Sequence, residues 1–394
     1  MIRLLSYTSL YPNAAQPSHG VFVENRLRHL VAGGQAATRV IAPVPWFPLR
    51  HRMFGGYATF AAAPAAEQRH GIAIHHPRYP LIPKVGMSLA PGLMSRFTLD
   101  AVRHELRARP FDLIDAHYFY PDGVAAALIG RALGKPVVIT ARGTDLNLIP
   151  DHARPRRLIQ WAAAQAAGLI TVCQALKDRL IDLGVPAERI TVLRNGVDLS
   201  QFQPPDRARA RAALGLTGPT LVSVGALIER KAHDLTIRAL SLLPDWRLLV
   251  AGEGPERGRL AALARNLGVA DRVRLVGPVA HDKLAEIYGA ADISVLASSR
   301  EGWANVLLEA MACGTPVVAS DVWGTPEVVA APAAGRLMRE RTPEALAEAV
   351  AALAADPPDR ALTRAYAERF DWQATTLGQI ALFTEILERA TLAP

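Results

Sequence analysis

Short apolar runs alternate along this chain with longer segments whose apolar positions recur every three or four residues, a pattern that predicts parallel strands separated by helices. Ile2 to Tyr7 reads as a first strand, followed by a loop through Gly20 and a helix over about Val21 to Ala32. Further strands are predicted at Arg39–Ala42, Leu113–Ala116, Pro136–Thr140, Leu169–Val172 and Ile190–Leu193, with residues 43–98 the least regular part. A second set runs through Thr220–Val224, Arg247–Ala251, Val273–Val276, Ile293–Ala297 and Val317–Ala319. The polar, proline-bearing stretch Gln201 to Arg211 between the two sets reads as a linker. Trp372 to Ala390 reads as a closing helix that packs back on the first set. The expected boundaries are 1–198 with 372–394 for an N-terminal domain and 199–371 for a C-terminal one.

Composition agrees with two folded α/β domains. The chain has 394 residues, half of them hydrophobic and 20% charged, enough for two cores and against bulk disorder. Its apolar runs are broken too early for a membrane span, and Met1 to Leu10 is too short and strand-like for a secretion signal. Cys173 and Cys313 fall in separate apolar stretches, which suits a reducing compartment and gives no metal spacing. A cytoplasmic protein is expected. Residues 1–198 carry 23 Lys and Arg against 13 Asp and Glu, while the remainder carries 21 against 23. The positive excess therefore sits in the first half. It points to an anionic partner, a membrane surface or an anionic acceptor, because no nucleic-acid motif accompanies it.

The richest stretch for chemistry is Arg300 to Ala319. An acidic, glycine-kinked loop runs into an apolar helix, which Gly314 stops before a short strand. The amides near Ala304, Asn305 and Val306 would form an anion site at the helix start. Glu309 lies one turn along on the face of Asn305, and a carboxylate there can accept paired hydrogen bonds from a ribose diol. Glu301, on the loop, could touch the group beyond the phosphates.

This string resembles the nucleotide-sugar site of the retaining glycosyltransferases of family 4, and four other segments match the same family. Ser223 to Lys231 is a strand end, turn and helix entry in which Gly225 and Lys231 fit the pattern. Ala226 stands where the family usually carries an Arg that reaches the diphosphate, and Arg230 or Arg300 could replace it. Gly252-Glu253-Gly254-Pro255 would wall the nucleotide pocket, and Val276-Gly277-Pro278-Val279 would hold the base through its backbone. In the first half, the resemblance sets His117 near the donor sugar or its phosphate. It sets Arg142 (often His in relatives), Asp145 and the Gly20 loop along the cleft. Asn195-Gly196-Val197-Asp198 matches a junction signature and reads physically as a turn with Gly in an unusual backbone conformation.

The resemblance implies a GT-B fold, two Rossmann-like domains facing across a cleft with a C-terminal helix returning to the first. It implies transfer of a sugar from a nucleoside diphosphate sugar to a hydroxyl with retention, with Glu301, Lys231 and His117 as catalytic residues. Donor contacts would come from Glu309, Arg230, Gly225, Gly254, Gly277, Asn305 and Val306. The nucleotide sugar is co-substrate rather than cofactor, and no metal is expected. The acceptor implied is a surface polysaccharide or lipid-linked glycan, reached by a protein peripheral to the inner face of the membrane. The stretch of Trp46, Phe47, Phe54, Tyr57 and Phe60 with Arg50, His51 and Arg52 suits a lipid interface or the domain core. Other readings are a GT-B epimerase, which needs acid–base groups not identified, and a catalytically decayed binding protein, which Ala226 favours. A dinucleotide-dependent dehydrogenase is disfavoured, because Ser6 to Tyr11 contains no glycine.

Overall fold

The computed structural model describes residues 1–49, 51, 53, 56–81 and 86–392, and the chain divides into two compact units, Met1–Arg194 with Gln373–Pro394 and Asn195–Trp372. Arg50, Arg52 and Phe54 lie outside the described residues.

Unit 1 contains, in chain order among the described residues, β1 (Ile2–Tyr7), β2 (Ala36–Ile41), β3 (Val44–Pro45), β4 (Ala66–Arg69), β5 (Ile72–His75), β6 (Arg78–Tyr79), β7 (Leu113–His117), β8 (Val137–Ala141), β9 (Gly168–Thr171) and β10 (Ile190–Val192). The main sheet has the order β10-β9-β8-β7-β1-β2-β5-β4, and β3 pairs with β6 apart from it. All its pairings are parallel except β4 with β5. Parallel strands are covered on both faces, which is why β7 and β8 are buried at every position. The helix Trp372–Leu392 supplies Phe383 and Ile386 to this unit's core, beside Leu4, Leu27, Val138 and Ile170.

The irregular region proves to hold β3 to β6. The β4–β5 hairpin turns at His70 and Gly71, both with positive φ (50° and 80°), a device that leaves no apolar periodicity. The second strand begins at Ala36, earlier than the apolar run suggests, because Ile2 pairs with Ala36.

Unit 2 contains β11 (Thr220–Val224), β12 (Arg247–Ala251), β13 (Val273–Gly277), β14 (Ile293–Leu296), β15 (Val317–Ser320) and β16 (Gly335–Met338). They form one parallel sheet, β13-β12-β11-β14-β15-β16. Chain order reverses between β11 and β14. In open α/β sheets that reversal leaves a crevice at the carboxyl ends of the strands, where ligands bind. The sequence pattern missed β16, whose short run is interrupted by the exposed Arg336. Its Gly335 has φ 134°, and a Cβ there would stand 1.9 Å from the Val317 carbonyl oxygen.

Two further expectations change. The supposed linker contains a helix, Arg207–Ala213, whose start is capped by Asp206 accepting from the Arg209 amide at 3.1 Å. Gly196 does not adopt a left-handed backbone. It is required by space, since a Cβ would meet Asp371 and Trp372 backbone atoms at 2.6 Å. No helix among the described residues is long and apolar enough to cross a membrane.

Candidate active site

The reversal point of unit 2 brings together residues seventy positions apart. The loop after β11 carries Arg230 and Lys231 on a single turn of 3-10 helix, Glu229–Lys231. The loop after β14 carries Glu301. Lys231 Nζ donates to Glu301 Oε1 at 2.6 Å, and Arg230 donates to the same oxygen at 3.2 Å and to the Arg300 carbonyl at 2.9 Å. The Ser299 amide bonds the Arg230 carbonyl at 2.9 Å, tying the two loops by backbone as well. Burial works to raise the Glu301 carboxyl, but Lys231 and then Arg230 outweigh it and hold the group below its usual range. Two cations facing one carboxylate leave a surplus positive charge at the crevice.

Glycine makes this packing possible. Gly225 has φ 155°, and the Lys231 stem lies 3.4 Å from where its Cβ would be. A Cβ on Gly252 would fall 1.9 Å from the Gly225 carbonyl oxygen, and one on Gly254 2.4 Å from that of Leu227. These glycines therefore serve the close approach of the two strand-end loops to each other. Gly277 ends β13 with φ 88°. His233, absent from the sequence reading, bridges Ser223 Oγ at 2.9 Å and the Ala226 carbonyl at 3.2 Å. Burial pushes its pKa down to about 4, so the ring is neutral and braces the turn at Gly225 and Ala226.

The helix Asn305–Ala312 begins a few residues past Glu301. Its Asn305 amide is turned inward onto the Trp303 carbonyl at 3.1 Å, and the Asn305 side chain accepts from Asn195 at 3.3 Å. That amide is thus not offered as an anion donor in this structure, while Val306 is half-buried. Glu309, one turn on, is buried. Its Oε2 accepts from the Tyr288 hydroxyl at 3.0 Å and its Oε1 meets His281 Nε2 at 3.2 Å. Neither partner was legible beforehand, because His281 sits in a polar turn and Tyr288 in an apolar helix.

In unit 1, His117 ends β7 and Arg142 follows β8. Arg142 donates to His117 Nδ1 at 2.7 Å, and His117 Nε2 lies 3.1 Å from Asp115 Oδ2. His117 and Asp115 are wholly buried. Burial drives the His117 pKa down to about 4 despite Asp115, so the ring is neutral at physiological pH. For Asp115 burial acts upward, and His117, Arg26 and Arg142 hold it below the usual range. Asp145 is also buried and accepts from the amides of Phe119 at 2.6 Å, Arg142 at 3.0 Å and Gly143 at 2.6 Å. It thus shapes the loop that presents Arg142. Gly20 has φ 73°, and a Cβ there would stand 2.3 Å from the Leu10 carbonyl, so packing alone demands a glycine.

Two α/β units, one with a parallel sheet reversed at its centre, match the GT-B class of glycosyltransferase. The comparisons agree. Sucrose-phosphate synthase of Thermosynechococcus elongatus superposes with TM-score 0.81 at 23% identity, covering 99% of this chain and 100% of that one. HepE of Anabaena in complex with UDP gives 0.74 at 22% identity, covering 98% and 100%. The profile Glycosyltransferase Family 4 matches residues 21–201 and Glycosyl transferases group 1 matches residues 206–370. A D-inositol 3-phosphate glycosyltransferase of Thermobispora bispora is 33% identical over 360 residues, 83% of each chain. The chain belongs to glycosyltransferase family 4 and is a glycosyltransferase.

Proposed function

We propose that this enzyme moves a sugar from a nucleoside diphosphate sugar to an acceptor hydroxyl with retained anomeric configuration. The observation that carries the reading is the sharing of one buried Glu301 oxygen by Lys231 and Arg230. The surplus charge is suited to the leaving diphosphate, whose growing negative charge Lys231 and Arg230 stabilise. No resident metal is needed for that task. Glu301 touches the donor sugar or the adjacent phosphate, and Glu309 holds the ribose. A bound UDP in the Anabaena HepE structure supports a nucleotide donor. The departing phosphate oxygen receives the acceptor proton on the donor's own face, which retains configuration without a protein base.

The acceptor reading is a surface or lipid-linked glycan, met at the inner face of the membrane by a cytoplasmic protein. Supporting it, the exposed side chains Trp46, Leu49, Met53, Tyr57, Met87, Leu89 and Phe97 concentrate in one stretch of the basic unit 1. Sedimentation with anionic vesicles tests it, and no binding at low salt refutes the membrane contact. A second reading, a small phosphorylated cyclitol as acceptor, is favoured by the name of the Thermobispora bispora relative.

Thermal-shift titration with UDP-, GDP-, ADP- and dTDP-sugars tests the donor assignment. Stabilisation by one nucleotide, lost in Lys231→Ala and Glu309→Ala, is expected. No response from folded protein refutes it. With a donor in hand, inositol phosphates and membrane lipid extracts separate the acceptors, and the anomeric proton coupling of the product reads retention.

A further inference from the structure

Glu309 is held by an enclosure that the donor reading does not itself require. Its carboxylate has two oxygens, and among the described residues each takes one hydrogen bond, Oε2 from Tyr288 at 3.0 Å and Oε1 from His281 at 3.2 Å. The Tyr288 phenol is fully buried and remains a donor, because burial and the neighbouring carboxylate push its pKa well up. On the other side of the imidazole, Gln201 Nε2 donates to His281 Nδ1 at 2.7 Å and to the His281 carbonyl at 3.0 Å. One amide nitrogen thus fixes ring and backbone together, and it leaves the ring proton on Nε2, directed at Glu309. The Phe202 ring packs edge-on against His281 at 5.1 Å and against Tyr288 at 6.2 Å, so neither side chain can swing away.

A carboxylate offers about four lone-pair sites. With one on each oxygen occupied, Glu309 keeps one acceptor site on each, which is the requirement of two adjacent hydroxyls that both donate. The loop that leaves β13 at Gly277 leads directly into His281, so the wall assigned to the nucleobase also aims the carboxylate. We propose that His281 and Tyr288 are positioning residues that set Glu309 to read a ribose diol, making the site selective for ribonucleoside over deoxyribonucleoside diphosphates. The donor is then a ribonucleotide sugar, and a thymidine diphosphate sugar is excluded. This inference rests on Glu309 as the ribose contact.

The test is calorimetric titration of the full chain with UDP, GDP and ADP, each paired with its 2′-deoxy counterpart. Wild type is expected to prefer the ribo form of one base by about tenfold or more, the worth of a hydrogen bond to a charged acceptor. Tyr288→Phe and His281→Ala are expected to lose most of that preference by weakening the ribo form, which has two hydroxyls on Glu309, more than the deoxy form, which keeps only its 3′ hydroxyl there, with circular dichroism reporting that they fold. A merely structural role would weaken both forms alike, and that result overturns the proposal, as does a wild type that binds both forms equally. Binding of no diphosphate at all overturns the donor reading and this inference with it.

Discussion

The shared oxygen of Glu301 makes a quantitative prediction about how its two cations combine. Lys231→Ala leaves Arg230 on that oxygen at 3.2 Å, and Arg230→Ala leaves Lys231 at 2.6 Å. Either way the carboxylate stays neutralised, so each single change is expected to cost about 1 kcal/mol, below the worth of a fully desolvated charged bond because both cations are partly exposed and the remaining one keeps the carboxylate paired. The double variant strands a buried carboxylate, whose cost is about 3–5 kcal/mol. The pair should therefore exceed the sum of the singles by about 1–3 kcal/mol, a coupling of the size found among residues in one network. Adding Glu301→Gln to the double variant removes the stranded charge and should recover most of the loss. Hydrogen exchange of the β11 and β14 amides in urea reads unit 2 by itself, which matters because a two-unit chain need not unfold in one step. Strict additivity, or a triple variant no more stable than the double, would refute the claim that one carboxylate serves both cations.

Other expectations follow from the same geometry. Ala226 is exposed on the turn beside Gly225 and the Lys231 stem. Ala226→Arg should thus restore the nucleoside diphosphate affinity that Arg230→Gln loses, as read by calorimetry. His117 and His233 have folded pKa values of about 4 against 6.5 when free, so their contribution to stability is complete above 6.5 and is lost as pH falls toward 4. Urea midpoints should fall across that window, with a shallower slope in His233→Asn. Phe383→Ala should cost unit 1 about 3–5 kcal/mol by opening its core, visible as exchange of the β1 and β8 amides.

The legible part of this fold was the part buried on both faces. β1 and β11 came out at their observed boundaries, because each is mostly buried and stands out as a mainly apolar run. β4, β5 and β16 did not, since a polar hairpin, or a short strand with an exposed arginine in it, carries too little apolar pattern. The glutamates of the site were legible as a string, and Lys231 as a matching position. Their meeting on one oxygen was not, because it depends on two loops set by the sheet's reversal. His281, Gln201 and Tyr288 were invisible for the same reason: each has an unremarkable local context and takes its role from Glu309. Gly196 was noticed for the wrong cause, as a turn conformation rather than a shortage of room.

Unit 2 is an insertion in the chain of unit 1, and that inverts the order of synthesis and completion. On the ribosome, residues 1–194 emerge first but lack Phe383, Ile386 and the Gln379 side-chain oxygen Oε1 that accepts from the buried Arg26 Nε at 3.0 Å. Until those residues appear, a guanidinium and the sheet's apolar surface wait uncovered, while residues 195–372 have all they need to fold. The later-made unit can therefore finish first. Domains usually mature from the N-terminus onward. Here the order of segments leaves unit 1 waiting for its last helix after every residue of unit 2 has been made.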